Sequence, residues 1–333
     1  MSGLTVARVA LAGAADRAST PNMFAPVSTP AFMIREVAFF VIGVSAVIFV
    51  IVAGLAVFAF VRFRRRPGEP DVEPPQVYGS TRIELAWTVV PFLIVVVLFL
   101  VTTRYIWGIE RRPQPAGAVE VTVVGHQWWW EIRYPKLGIV TANELHVPVS
   151  DGASPTPTFI LLESADVIHS FWVPQLAGKV DLIPRQTNRV WMEPFAAGVY
   201  VGQCAEYCGL EHALMLLTVV VHPKAEFDRW VADQQAPARA DPAARRGREL
   251  FVSLACISCH TIRGTPANGV FGPDLTHLMS RRTIAAGAAA NTPKDLRAWL
   301  DNPSAMKRGA LMPAMKLSGE DVDDLASYLA TLQ

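Results

Sequence analysis

Two uncharged apolar segments near the start of the chain constrain its fold more than any other feature. Residues 37–61 carry no charge between Glu36 and Arg62, and residues 85–103 carry none between Glu84 and Arg104. A helix rises 1.5 Å per residue and needs about 20 residues to cross hydrocarbon, so each segment is long enough to span a bilayer. Residues 35–104 therefore read as a transmembrane helix hairpin in contact with membrane lipid. The connecting loop opens with Arg62, Arg64, Arg65 and Arg66. The positive-inside bias puts that loop in the cytoplasm and both ends of the chain outside, although Arg35, Arg104, Arg111 and Arg112 flank the other side and reduce the bias. Trp87, Tyr105 and Trp107 suit interfacial anchoring. Composition agrees, with 51% hydrophobic and 18% charged residues, the latter below the usual value of about 25%. A formal net charge of +1 gives no global field that would gather nucleic acid, so no nucleic-acid partner is expected.

Residues 1–34 form a leader or N-terminal segment. Its apolar patch, residues 4–15, is interrupted by Arg8 and followed by Ser, Thr and Pro, in the manner of a cleavable signal or a loose leader. Beyond Arg112 the character changes. Residues 119–124, 158–162, 190–192 and 214–221 are short runs rich in branched side chains, separated by Gly and Pro, and predict an all-β sandwich or barrel over residues 105–224. Residues 225–242 read as a helix and linker, with a helical stretch at 224–234 and a Pro- and Ala-rich spacer at 236–242. Residues 243–333 are a separate helical unit, opening with an amphipathic helix near 247–254 and closing with one whose face carries Leu325, Tyr328 and Leu329.

The four cysteines fall into two tight clusters, an arrangement of sites rather than of a scattered disulfide framework. Cys256-Ile-Ser-Cys259-His260 is the covalent haem c attachment pattern: thiols at i and i+3 add to the haem, and the next residue ligates iron. A redox-active disulfide or half of a zinc site would use the same cysteines, but no second CxxC follows and neither explains the adjoining His. The sixth ligand would come from Met306, Met312 or Met315, with Met312 preferred, Met315 the alternative and Met306 a packing residue.

The other cluster places Cys204, Cys208, His212 and Met215 within 12 residues, with His169 upstream on an apolar run. Two thiolates, imidazole and a thioether form a soft donor set suited to copper. A Cys204–Cys208 disulfide and a zinc site are the plainer alternatives. Zinc leaves Met215 idle, and a mononuclear blue-copper centre requires one Cys. The donor count favours two coppers bridged by both thiolates, with Met215 and the Glu206 carbonyl as weak ligands. His126, His146, His222 and His277 have no partner at metal spacing and read as surface or structural residues. Asp166 reads as part of a docking surface or a solvated turn.

Residues 243–333 resemble a class I cytochrome c, through Gly247 and Phe251, the CxxCH, Gly272-Pro273-Asp274-Leu275, Met312-Pro313 and Tyr328. The resemblance makes His260 the proximal and Met312 the distal ligand, and puts the Pro273 carbonyl at the other His260 ring nitrogen. Residues 35–224 resemble cytochrome c oxidase subunit II, and with the haem unit the whole is similar to subunit II of a caa3-type oxidase. That implies a multidomain membrane protein: a two-helix hairpin, an all-β cupredoxin-like dinuclear copper domain and an all-α cytochrome c domain.

It further implies copper ligation by His169, Cys204, Glu206, Cys208, His212 and Met215. In the aromatic stretch Gly125-His126-Gln127-Trp128-Trp129-Trp130, Trp128 is the residue through which electrons enter, and Trp129 stands where Tyr is common. The Glu206 carboxylate would reach a magnesium at the boundary with subunit I. Glu84 would sit at the mouth of a proton pathway in subunit I.

The expected function is electron transfer from an external donor through haem c and the copper pair to the oxygen-reducing subunit I, with subunit III as a further partner. The expected location is the bacterial cytoplasmic membrane, crossed twice, with both redox domains on the outer side. A membrane-anchored carrier for another reductase, or a non-enzymatic copper or redox-sensing module, is the alternative.

Overall fold

Both apolar segments lie within long helices, α1 (Thr29–Arg62) and α2 (Thr81–Glu110). The structure is a computed structural model that describes residues 20–68, 73, 75–150, 155–238 and 241–333; the leader patch expected at 4–15 lies outside them. Phe49, Leu55 and Phe60 of α1 and Leu85, Phe92 and Leu100 of α2 are all more than half exposed. An apolar surface of that extent is stable in lipid and not in water. The hairpin is a unit of its own, Phe32–Pro113.

The β domain consists of β1 (Val119–His126), β2 (Trp129–Tyr134), β3 (Ile139–Ala142), β4 (Glu144–Pro148), β5 (Thr158–Ser164), β6 (His169–Trp172), β7 (Val180–Leu182), β8 (Asn188–Met192), β9 (Gly198–Cys204) and β10 (Leu216–His222). They form two five-stranded sheets, β3-β2-β1-β5-β8 and β4-β10-β9-β6-β7. All neighbours are antiparallel except β1 with β5 and β4 with β10. Period-two alternation explains which side chains meet inside: Trp130, Ile132 and Tyr134 from β2 pack with Leu217, Val219 and Val221 from β10 in one core. Each run predicted as a strand contains one, but in the run expected at 214–221 residues 214 and 215 belong to the turn before β10.

α3 (Lys224–Gln235) leads toward the haem domain, which holds α4 (Arg245–Ser253), α5 (Cys256–Cys259), α6 (Pro293–Asp301), α7 (Pro303–Met306) and α8 (Gly319–Leu329). Thr292 and Ser318 cap α6 and α8 by accepting the Asp295 and Asp321 amides, and Pro293 opens α6 where no N–H is needed. α4 crosses α8 at Gly247, where a Cβ would lie 2.0 Å from the Asp324 carbonyl oxygen, so only glycine permits the approach. Phe251, Leu296, Leu325, Tyr328 and Leu329 fill the core beneath.

The spacer expected at 236–242 is anchored where it begins. Gln234 Nε2 donates to Ser280 Oγ at 3.2 Å, and His277 Nε2 lies 3.1 Å from the Ala236 carbonyl. The β and haem domains share one compact unit. The spacer read from composition is held at its first residue, where His277 meets the Ala236 carbonyl.

Candidate metal centre and haem cavity

Strand pairing assembles the first site. β6 runs antiparallel to β9 with Phe171 opposite Cys204, so His169 at the head of β6 faces the loop that leaves β9. The Ala205 amide donates to the Ser170 carbonyl at 3.0 Å, and the Cys204 amide to the Met215 carbonyl at 2.9 Å. These bonds fold the loop back so that its two ends stand together. Cys204 Sγ then lies 3.8 Å from Cys208 Sγ and 3.9 Å from His169 Nδ1. Cys208 Sγ lies 3.7 Å from His212 Nδ1 and 3.8 Å from Met215 Sδ, while the Glu206 carbonyl is 3.2 Å from Cys204 Sγ. Both cysteines are free thiols, not a disulfide. His169, Cys204 and Cys208 form a buried group whose ligand atoms all lie within 4.8 Å of one another. Donor separations near 4 Å suit atoms that share metal ions at bond lengths of about 2.0–2.3 Å.

Protonation is arranged to match. The contact with Cys208 lowers the pKa of Cys204, against the effect of burial. Cys208 is pushed up in turn, first by Cys204 and then by burial. Burial disfavours protonated His169, but Asp166 and Cys204 outweigh it and raise its pKa. Asp166 Oδ1 sits 2.8 Å from His169 Nε2 and its Oδ2 accepts the Gln127 amide at 2.6 Å. Asp166 therefore holds the imidazole by one nitrogen and leaves Nδ1 for the sulfur pair; it lies in an exposed turn, as one sequence reading had it, and the bond to His169 is the added feature.

Trp128 borders this site: its Nε1 donates to the Cys208 carbonyl at 3.0 Å, beside Gln127 Nε2 at 2.7 Å. Glu206 turns its carboxylate outward, 3.4 Å from Lys179 Nζ, while its carbonyl faces Cys204. Glu84 is exposed in the first turn of α2, where a carboxylate complements the helix dipole.

A cavity of about 850 Å³ forms the second site, lined by Cys256, Cys259, His260, Met312 and Met315. α5 is a single turn that brings both cysteines to one side and leaves His260 as its C-terminal cap. His260 Nδ1 lies 2.8 Å from the Pro273 carbonyl, as the cytochrome resemblance implied, which leaves Nε2 for iron. Burial lowers the His260 pKa and favours the neutral ligand form. Gly272 admits the ring, since a Cβ there would sit 2.5 Å from His260 Cε1. The apolar walls and this cradle fit a haem. Met306 is not among the lining residues, in keeping with a packing role.

Sequence reasoning gave His146 and His222 no partner. Parallel pairing of β4 and β10 makes them partners of each other, with His146 Nδ1 2.8 Å from His222 Nε2 and the His146 ring stacked on Trp230. Burial lowers both pKa values, so the pair is a neutral hydrogen-bonded stack and a structural feature.

Comparison with known proteins bears on the whole chain. Residues 18–103 match the transmembrane domain of cytochrome c oxidase subunit II, residues 153–222 its periplasmic domain and residues 244–333 cytochrome c. Cytochrome c oxidase subunit 2 of Alkalihalophilus pseudofirmus is 35% identical over 87% of this chain and 84% of its own length. The corresponding protein of Bacillus sp. strain PS3 is 34% identical, covering 81% of this chain and 80% of its own length. The periplasmic domain of Bradyrhizobium japonicum subunit II, a solved structure, is 29% identical over 37% of this chain and 97% of its own, with a TM-score of 0.34. The chain belongs to the cytochrome c oxidase subunit II family: a membrane protein with a fused cytochrome c domain that transfers electrons in a terminal oxidase.

Proposed function

We propose that Cys204 and Cys208 bridge two copper ions completed by His169, His212, Met215 and the Glu206 carbonyl, and that Cys256, Cys259, His260 and Met312 hold haem c. The observation that carries this is the donor cluster itself: two free thiols 3.8 Å apart, each with an imidazole Nδ1 within 4 Å. When bound, the two groups exchange one electron at a time, taken from an external donor and delivered to a haem-copper subunit I. The protein's own part is positional. Asp166 fixes the His169 ring and Pro273 fixes the His260 ring, so neither imidazole must turn when charge arrives. Trp128, hydrogen-bonded to the main chain of Cys208, is the residue through which electrons enter the copper site.

The outward Glu206 carboxylate serves a magnesium at the boundary with subunit I. Glu84 serves the mouth of a proton pathway in that subunit, and subunit III completes the assembly. The arginine-rich loop after α1 lies in the cytoplasm and both redox domains lie on the outer side of a bacterial cytoplasmic membrane. Metal analysis and an optical spectrum of the purified full-length chain test the reading. Two coppers per covalent haem, with haem c bands and a near-infrared copper–thiolate band, are expected. Zinc, or one copper beside an intact disulfide, overturns the dinuclear assignment.

A further inference from the structure

Lys307 follows α7 in the haem domain and is only 3% exposed. Its ammonium nitrogen lies 2.7 Å from the Trp128 carbonyl, 2.8 Å from the Leu214 carbonyl and 3.3 Å from the Ala285 carbonyl. Three protons thus meet three acceptors, two of them on the copper domain. No carboxylate bonds it directly. Glu211 favours its charge through space, and Glu211 Oε1 accepts the Gly309 amide at 2.9 Å from the same stretch of the haem domain. A buried ammonium costs free energy unless its hydrogen bonds are complete, and here they are.

The two acceptors on the copper domain are not arbitrary. The Trp128 carbonyl belongs to the residue whose indole bonds to Cys208, and the Leu214 carbonyl immediately precedes Met215. One side chain therefore grips the main chain on both segments that frame the thiolate pair. A lysine suits this task better than an arginine, because three N–H bonds diverge from a single point whereas a guanidinium presents a planar fork.

We propose that Lys307 is a positioning residue, a cationic clip that seats the haem domain on the copper domain at Trp128 and Leu214. Its role in electron transfer rests on the haem and copper reading above; the clip itself is a property of the polypeptide. Lys307→Met keeps the stem and removes every donor. In the full-length chain, amide exchange across residues 127–131 and 212–216 should accelerate tenfold or more, while exchange in α8 stays at the wild-type rate. Haem and copper–thiolate absorption should persist, and flash-induced haem-to-copper transfer should slow, because electron tunnelling falls steeply with the separation of the two centres.

Should Lys307→Met fail to accumulate, Lys307→Gln gives the comparison with two uncharged N–H donors in place of three charged ones. Unchanged exchange in both copper-domain segments overturns the clip. Faster exchange with an unchanged transfer rate overturns its role in electron transfer. A wild-type chain lacking either chromophore overturns the underlying reading before any variant is made, and the exchange measurement still decides the clip.

Discussion

Glu144 offers a test in which two substitutions at one position should part company. It opens β4 of the copper domain, is 1% exposed, and its Oε1 accepts the Arg282 amide at 2.6 Å and the Thr283 amide at 3.1 Å from the haem domain. Burial raises its pKa, and the two amides and Arg281 oppose that without cancelling it. Glu144→Ala strands two buried N–H groups at about 1–3 kcal/mol each, or roughly 2–6 kcal/mol together. Glu144→Gln keeps an acceptor oxygen and removes the poorly solvated charge, so its cost should stay within about 1 kcal/mol. At about 1.4 kcal/mol per factor of ten, amide exchange at residues 282 and 283 should accelerate by at least roughly 30-fold in the alanine variant and by less than tenfold in the glutamine variant.

The pH dependence follows from the same burial. A carboxyl with a raised folded pKa contributes stability that is fully present below its ordinary value of 4.5 and is lost as pH rises through the folded value. Protection of residues 282 and 283, corrected for intrinsic exchange, should therefore decline above pH 4.5 in the wild type and hold level in Glu144→Gln. Equal acceleration in the alanine and glutamine variants would show that charge, not the acceptor oxygen, holds the contact, and would refute the argument.

Cys204→Ser or Cys208→Ser should abolish the copper pair, while Met215→Leu should keep copper bound and shift its potential, because a thioether is a weak axial ligand; metal analysis and potentiometry separate the cases. Asp166→Ala should weaken copper binding by about 10–100-fold through loss of the bond that orients His169, whereas Asp166→Asn retains an acceptor and should weaken it less. Met312→Ala should open the sixth iron position and lower the haem potential with the thioether links intact. A spectrum that responds only to Met315→Ala would move the ligand by three residues.

What could be read from the sequence, and what could not, divides by how local the physics is. An uncharged run of 25 residues needs no partner to declare itself, and CxxCH is complete within five residues. The proposed copper donors could be picked out because four of them share one loop, and His169 because an imidazole on an apolar strand demands an explanation. Asp166 lies in an exposed turn, as read, but its bond to His169 was not visible because the carboxylate meets the ring only after the turn before β6 forms. His146 and His222 stand 76 residues apart and meet only through the β4–β10 register.

The contact between the two redox domains was the least visible feature, for a specific reason. Lys307, Glu211 and Glu144 are charged side chains that bond main-chain groups across the contact. Every residue carries a main-chain amide or carbonyl, so no complementary side-chain pattern marks the other half of such a bond. Composition at 236–242 speaks to the stiffness of the connection and says nothing of where the haem domain comes to rest. Seating that depends on buried bonds to backbone, rather than on opposed surface charge, is little screened by salt. Haem-to-copper transfer within the chain should accordingly be less sensitive to ionic strength than the arrival of an external donor, whose encounter is steered across solvent.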